Sequence, residues 1–133
     1  MEGKSPFGTL EYLYMPSRDV ASDVRYFVDV LGGECLFAID DGGTRVAMIA
    51  LGADPPHILL TDHLETHEPV LIYAVDDLDT RRKGLRERGV VGRSIELPVG
   101  PAFSFTAPGM QRVAIYEPTR AEVLRHFIGR HDF

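Results

Sequence analysis

Leu10-Glu-Tyr-Leu-Tyr-Met-Pro-Ser-Arg-Asp19-Val20 and Val70-Leu-Ile-Tyr-Ala-Val-Asp-Asp77-Leu78 state one grammar twice. Each is an apolar, tyrosine-bearing strand that runs into an aspartate placed to open a helix, because a carboxylate at that position accepts from the free amides of the first turn. Each helix ends on glycine, Gly32-Gly33 in the first copy and Gly89 in the second, and three strand-like runs follow. Superposing Asp77 on Asp19 pairs Tyr12 with Val70 and Leu13 with Leu71, but Val24 with Arg82. The repeat is architectural more than textual.

Outward from these stretches, the first helix places Val20, Val24, Phe27 and Leu31 at helical spacing, a stripe expected to face the core. Cys35–Ile39 and Arg45–Leu51 flank Asp40-Asp-Gly-Gly43, a hairpin signal because Asp and Gly tolerate positive φ. His57–Thr61 reads as the last strand of the first half, and the polar stretch 63–68 as a connector. The second half has Leu85 turned inward on its helix, a strand at Arg93–Leu97, and an alternating strand at Ala102–Thr106. A Pro108-Gly109 turn and a last strand at Gln111–Tyr116 follow. Thr119-Arg-Ala-Glu122 has capping-box spacing and is expected to open a C-terminal helix with Val123, Leu124, Phe127 and Ile128 on one side.

Composition narrows the function. A chain of 133 residues with 44% apolar and 26% charged residues is one ordinary domain, spanning 1–133, with a core of its own. The net charge of −6 and the scatter of basic residues argue against nucleic acid, whose binding draws on clustered Lys and Arg. Cys35 is the single cysteine, which precludes an intrachain disulfide and reads as a small buried hydrophobe. Met1-Glu-Gly-Lys-Ser-Pro6 lacks an apolar signal core, and no apolar run approaches the roughly 18 residues needed to cross a bilayer. The expectation is a cytoplasmic protein without a membrane partner.

The doubled pattern resembles the vicinal oxygen chelate superfamily of glyoxalases, bleomycin-resistance proteins and extradiol dioxygenases. The resemblance covers roughly residues 9–117 and is most specific at Val75-Asp-Asp-Leu-Asp79 and Phe105-Thr-Ala-Pro-Gly-Met-Gln-Arg-Val-Ala-Ile-Tyr116. It implies an α+β fold: two paired βαβββ modules forming a curved mixed sheet around a cavity, plus a C-terminal helix. The modules would span about 8–62 and 69–117, with the connector at 63–68 and the last helix over 119–130. It also implies a homodimer in which modules of two chains complete a curved sheet. The second stretch departs from the family's Phe-x-Asp-Pro-Asp-Gly-Asn-x-x-Glu-Leu run at Ala107, Gly109, Met110 and Ala114.

In that family, metal ligands lie near the start of each module's first strand and on the last strand of the second. The matching positions are Tyr12, Val70 and Ala114, a phenol, an isopropyl and a methyl group, so neither a metal nor another cofactor is expected. Because strand side chains alternate between faces, these positions mark a pocket face. It carries Tyr12 and Tyr14, then His57, Leu59 and Thr61, then Val70 and Ile72, and finally Arg112, Ala114 and Tyr116, with Phe103 and Phe105 added. Glu117 is out of phase with this set and points away. A second metal candidate is the connector trio His63, Glu65 and His67, which lacks the helical context that such spacing needs.

Three functions follow from this reading. The first is metal-independent binding of a small, partly aromatic or apolar molecule, in the manner of antibiotic-sequestering proteins that resemble this chain in lacking the ligand triad. The second is a metal-dependent glyoxalase-type lyase or isomerase, or a dioxygenase, which the three ligand positions disfavour. The third is a metal-free enzyme using Tyr12, Tyr14 or His57 as acid or base.

Overall fold

The computed structural model describes residues 7–63 and 67–133, and in them the two halves are one continuous sheet. The first module runs β1 (Thr9–Pro16), α1 (Val20–Arg25), β2 (Glu34–Asp41), β3 (Thr44–Ala50) and β4 (His57–Thr61). The second runs β5 (Val70–Ala74), α2 (Leu78–Glu87), β6 (Gly92–Leu97), β7 (Gly100–Thr106) and β8 (Arg112–Tyr116), and α3 (Glu122–Phe127) follows. The eight strands lie in the order β2-β3-β4-β1-β5-β8-β7-β6, a curved, unclosed mixed sheet of two βαβββ modules.

The Asp signals work as the sequence implies. The Asp19 carboxylate accepts from the Ser22 amide at 3.0 Å, and Asp77 accepts from the Thr80 hydroxyl at 2.7 Å. Glu117 completes the second cap: its Oε1 accepts from the Leu78 amide at 2.8 Å, which ties the end of β8 to the start of α2. The hairpin between β2 and β3 turns on Gly42 and Gly43 at φ 62° and 94°.

Two expectations about helices need correction. After Arg25 the first helix widens into a π-helical stretch, Tyr26–Val30, which shifts the phase of its inner face. Val28 joins Val20, Val24 and Phe27 against the sheet, and Leu31 is left 48% exposed. The capping box at 119–122 does not form. Arg120 is instead held by β6, its guanidinium donating to the Leu97 carbonyl at 2.9 Å and to Glu96 at 2.7 Å. The last helix is therefore short, and residues 129–132 run along the edge of β2. There the Gly129 amide donates to Leu36 at 2.8 Å, the Ala38 amide to Arg130 at 2.9 Å, and the Asp132 amide to Ala38 at 2.6 Å.

The modules join through antiparallel pairing of β1 with β5 inside one chain, so the sheet needs no second copy to be continuous. β5 and β8 are interior strands, not exposed edges. α1 covers the outer face of the first module over Ala38, Ala47, Ile49, Ile58 and Leu60. α2 covers that of the second through Leu78 and Leu85 against Phe103 and Ile115. The other face holds two further apolar clusters, to both of which Tyr12 and Leu124 contribute.

Candidate functional site

That inner face encloses a cavity of about 760 Å³. β1 supplies Tyr12 and Tyr14, β4 supplies Leu59, β5 supplies Ile72 and β8 supplies Tyr116. β2 and β3 add Phe37, Ile39 and Val46, the segment 95–99 contributes to the wall, and α3 adds Leu124 and Phe127. The Phe127 ring packs tilted against Phe37, centroids 5.6 Å apart, which fixes the helix against the wall.

The strand registers explain which expected residues reach this space. One row across four neighbouring strands is His57, Tyr12, Ile72, Ala114, and the next is Leu59, Tyr14, Val70, Arg112. Val70 and Ala114 are 5% and 2% exposed, packed beneath Tyr12 and Tyr14 and not on the cavity wall. Thr61 is fully buried at the end of β4. His57 shares the inner face but does not line the cavity, and its Nδ1 is buried without a hydrogen-bond partner. Arg112 does not reach the lining.

Phe103 and Phe105 lie on the opposite face. The register of β7 against β8 sets Ala102 opposite Tyr116 and Ser104 opposite Ala114, so the small residues face inward. The phenylalanines turn to α2, where the Arg86 guanidinium lies 5.4 Å above the Phe103 ring.

His63, read from the sequence as a connector residue, lines the cavity. Its Nε2 meets the Tyr14 hydroxyl at 3.0 Å and its Nδ1 meets Thr61 Oγ1 at 2.5 Å. Glu65 lies outside the described residues. Across the sheet, Tyr12 and Tyr116 have ring centroids 6.1 Å apart. Burial raises the pKa of all three phenols. Their interaction partly offsets this at Tyr12 and adds to it at Tyr116, which is pushed furthest. The phenols of the lining are therefore neutral and set among apolar groups, with the carboxylates Asp41 and Glu96 also in the wall.

The metal that the fold family carries does not fit these residues. The three matching positions, Tyr12, Val70 and Ala114, offer one phenol and two aliphatic groups, with His57 the single imidazole paired beside Tyr12, whereas a hard divalent cation takes several imidazoles or carboxylates. Among the described residues, no three His, Cys, Asp or Glu side chains come together as a ligand set.

No protein-family model matches the chain, and no curated protein matches it in sequence. Solved structures do match in shape. Methylmalonyl-CoA epimerase from Mycobacterium tuberculosis superposes with a TM-score of 0.73 at 19% identity, over 93% of this chain and 97% of its own. The hypothetical protein BH1468 from Bacillus halodurans C-125 gives 0.66 at 14% identity, over 82% and 93%. Streptomyces coelicolor methylmalonyl-CoA epimerase gives 0.64 at 13% identity, over 84% and 94%. The architecture these neighbours share with the chain is the fold of the vicinal oxygen chelate superfamily.

Proposed function

We propose that this chain binds a small, largely apolar or aromatic molecule on the inner face of its sheet, without a metal ion. The observation that carries the reading is the cavity itself. It is about 760 Å³, built by a single chain and walled by aromatic and aliphatic side chains with a few convergent polar groups. That size and lining are those of small-molecule sites. Aromatic walls add roughly 0.5–1.5 kcal/mol per well-placed ring pair beyond the burial of area. Sequestration alone needs nothing more.

The solved epimerases act, by name, on a CoA ester. A CoA ester brings phosphates, which call for Lys or Arg. Among the described residues no Lys or Arg lines this cavity, so the lining favours a different kind of guest. The metal-dependent alternatives require ligands that Tyr12, Val70 and Ala114 do not supply.

The test is occlusion. Leu59 projects into the cavity from a central strand, and Leu59→Trp would fill part of that volume. A neutral fluorophore, N-phenyl-1-naphthylamine, is expected to bind the wild-type chain saturably at one site. In Leu59→Trp it is expected to bind at least about tenfold more weakly, with the circular dichroism spectrum unchanged. No saturable binding to the wild type, or equal binding by the occluded variant, would remove the cavity from the account.

A further inference from the structure

At the polar corner of the cavity, a count of protons fixes which partner donates in each hydrogen bond. The Tyr14 hydroxyl meets His63 Nε2 at 3.0 Å, and Thr61 Oγ1 meets His63 Nδ1 at 2.5 Å. A neutral imidazole brings one donor and one acceptor to these two contacts, and each hydroxyl brings one proton. Two arrangements are open to them. In the first, Tyr14 donates to Nε2 and Nδ1–H donates to Thr61. In the second, Thr61 donates to Nδ1 and Nε2–H donates to the Tyr14 oxygen.

The burial of Thr61 selects the second. Its side chain is fully buried and lies outside the cavity lining, and its oxygen already accepts from the His63 amide at 3.4 Å. Among the described residues, the acceptor in hydrogen-bonding geometry with its proton is His63 Nδ1. The first arrangement buries that proton without a partner, a desolvation penalty that the second avoids. Protonation of His63 keeps the same sense at Tyr14, because Nε2–H still donates to the phenol oxygen. In either state the bond to His63 engages the Tyr14 oxygen and leaves its proton free. Tyr14 lines the cavity, so a guest there can accept that proton.

Resting on the cavity as a binding site, we infer that Tyr14 is a hydrogen-bond donor to the guest, and that the guests are apolar or aromatic molecules carrying a carbonyl or comparable neutral acceptor. Tyr14 is the specificity residue. Thr61 and His63 position it by keeping its proton directed at the cavity.

Two probes of one shape test this on the full chain: 2-acetylnaphthalene and 2-isopropenylnaphthalene, which differ only in C=O against C=CH2. Each is measured by displacement of N-phenyl-1-naphthylamine. In Tyr14→Phe the ketone is expected to lose about tenfold in affinity, the worth of one hydrogen bond, while the alkene keeps its own. Thr61→Val replaces the buried hydroxyl with a methyl group and lets Nε2 take the Tyr14 proton. There too the ketone should weaken and the alkene should not, whereas a merely structural role for Thr61 would weaken both alike. Nitrogen-15 NMR of the wild type in mildly alkaline buffer reads the tautomer directly, with His63 assigned by comparison with His63→Ala. The proton is expected on Nε2. A proton on Nδ1, equal losses for ketone and alkene in Tyr14→Phe, or no loss for either would overturn the inference and leave the cavity reading standing. Failure of N-phenyl-1-naphthylamine itself to bind saturably would overturn both.

Discussion

Phe103 shows how much hangs on which face a side chain takes. Its strand alternates aromatic with small residues, so the pattern states that one face is aromatic but not which face looks inward. That is settled by the β7–β8 connection, where the Ala107 amide donates to the Gln111 carbonyl at 2.8 Å and fixes the register that turns Ala102 and Ser104 to the inner face of the sheet. Phe103 is completely buried under α2. Phe103→Leu is accordingly expected to cost about 1–2 kcal/mol in urea unfolding, from a partly filled space in a tight core. Its affinity for N-phenyl-1-naphthylamine should match that of the wild type. A stable variant with impaired binding would mean that the ring faces the guest after all. Tyr12, Tyr14, Leu59, Ile72 and Tyr116, by contrast, meet around the cavity as strand parity alone implies, because their strands are neighbours in the sheet centre. His63 was not legible in this way. It lies beyond the end of β4, and its place in the wall depends on two side chains, Tyr14 and Thr61, that only the folded chain brings to it.

Among the elements, the last helix and the segment after it differ most from their sequence pattern. Thr119-Arg-Ala-Glu122 has the spacing of a cap, but residues 119–121 form a turn in which Arg120 finds three acceptors on and beside β6, and the helix starts only at Glu122. Propensity is a weak prior against such tertiary contacts. The segment beyond α3 then satisfies the edge of β2, which would otherwise present unpaired amides. The Asp132 carboxylate joins in, accepting from the Asp40 amide at 2.9 Å and from the Arg130 guanidinium. Its pKa is lowered below the usual value of 3.8, first by Arg130 and then by the Asp40 amide. A lowered native pKa means that the contribution is complete above the ordinary carboxyl value and is lost as pH falls from there through the native value. The Asp40 amide should therefore exchange faster relative to its intrinsic rate as pH drops below about 3.8, with Asp132→Asn largely insensitive over the same range. Protection of Asp40 that does not change through that interval would detach Asp132 from the closure of this edge. The Asp-capped helices and the Gly42-Gly43 hairpin, in contrast, were legible because their signals are local and nothing distant competes with them.

At the scale of the molecule, the doubled grammar foretold the doubled architecture, and chain topology supplied the joint. β1 pairs with β4 on one side and β5 on the other, so the two halves close a cavity within one chain. On the proposed reading, one guest per chain is expected whatever the protein concentration. At the positions matching the fold family's metal ligands this chain has Tyr12, Val70 and Ala114, and the strand registers set Val70 one row away from the other two, opposite Tyr14 and Arg112. The measurement that tests the central claim most directly is calorimetric titration of 2-naphthol into untagged protein, first in excess EDTA and then with one equivalent of zinc, nickel, manganese or iron(II). A metal-free site is expected to bind one molecule per chain with the same affinity in every condition, and the metals alone to give no stabilisation of the native state. Binding that disappears in EDTA and returns with a divalent ion would contradict it, and would mean that His57 and its neighbours form a metal site.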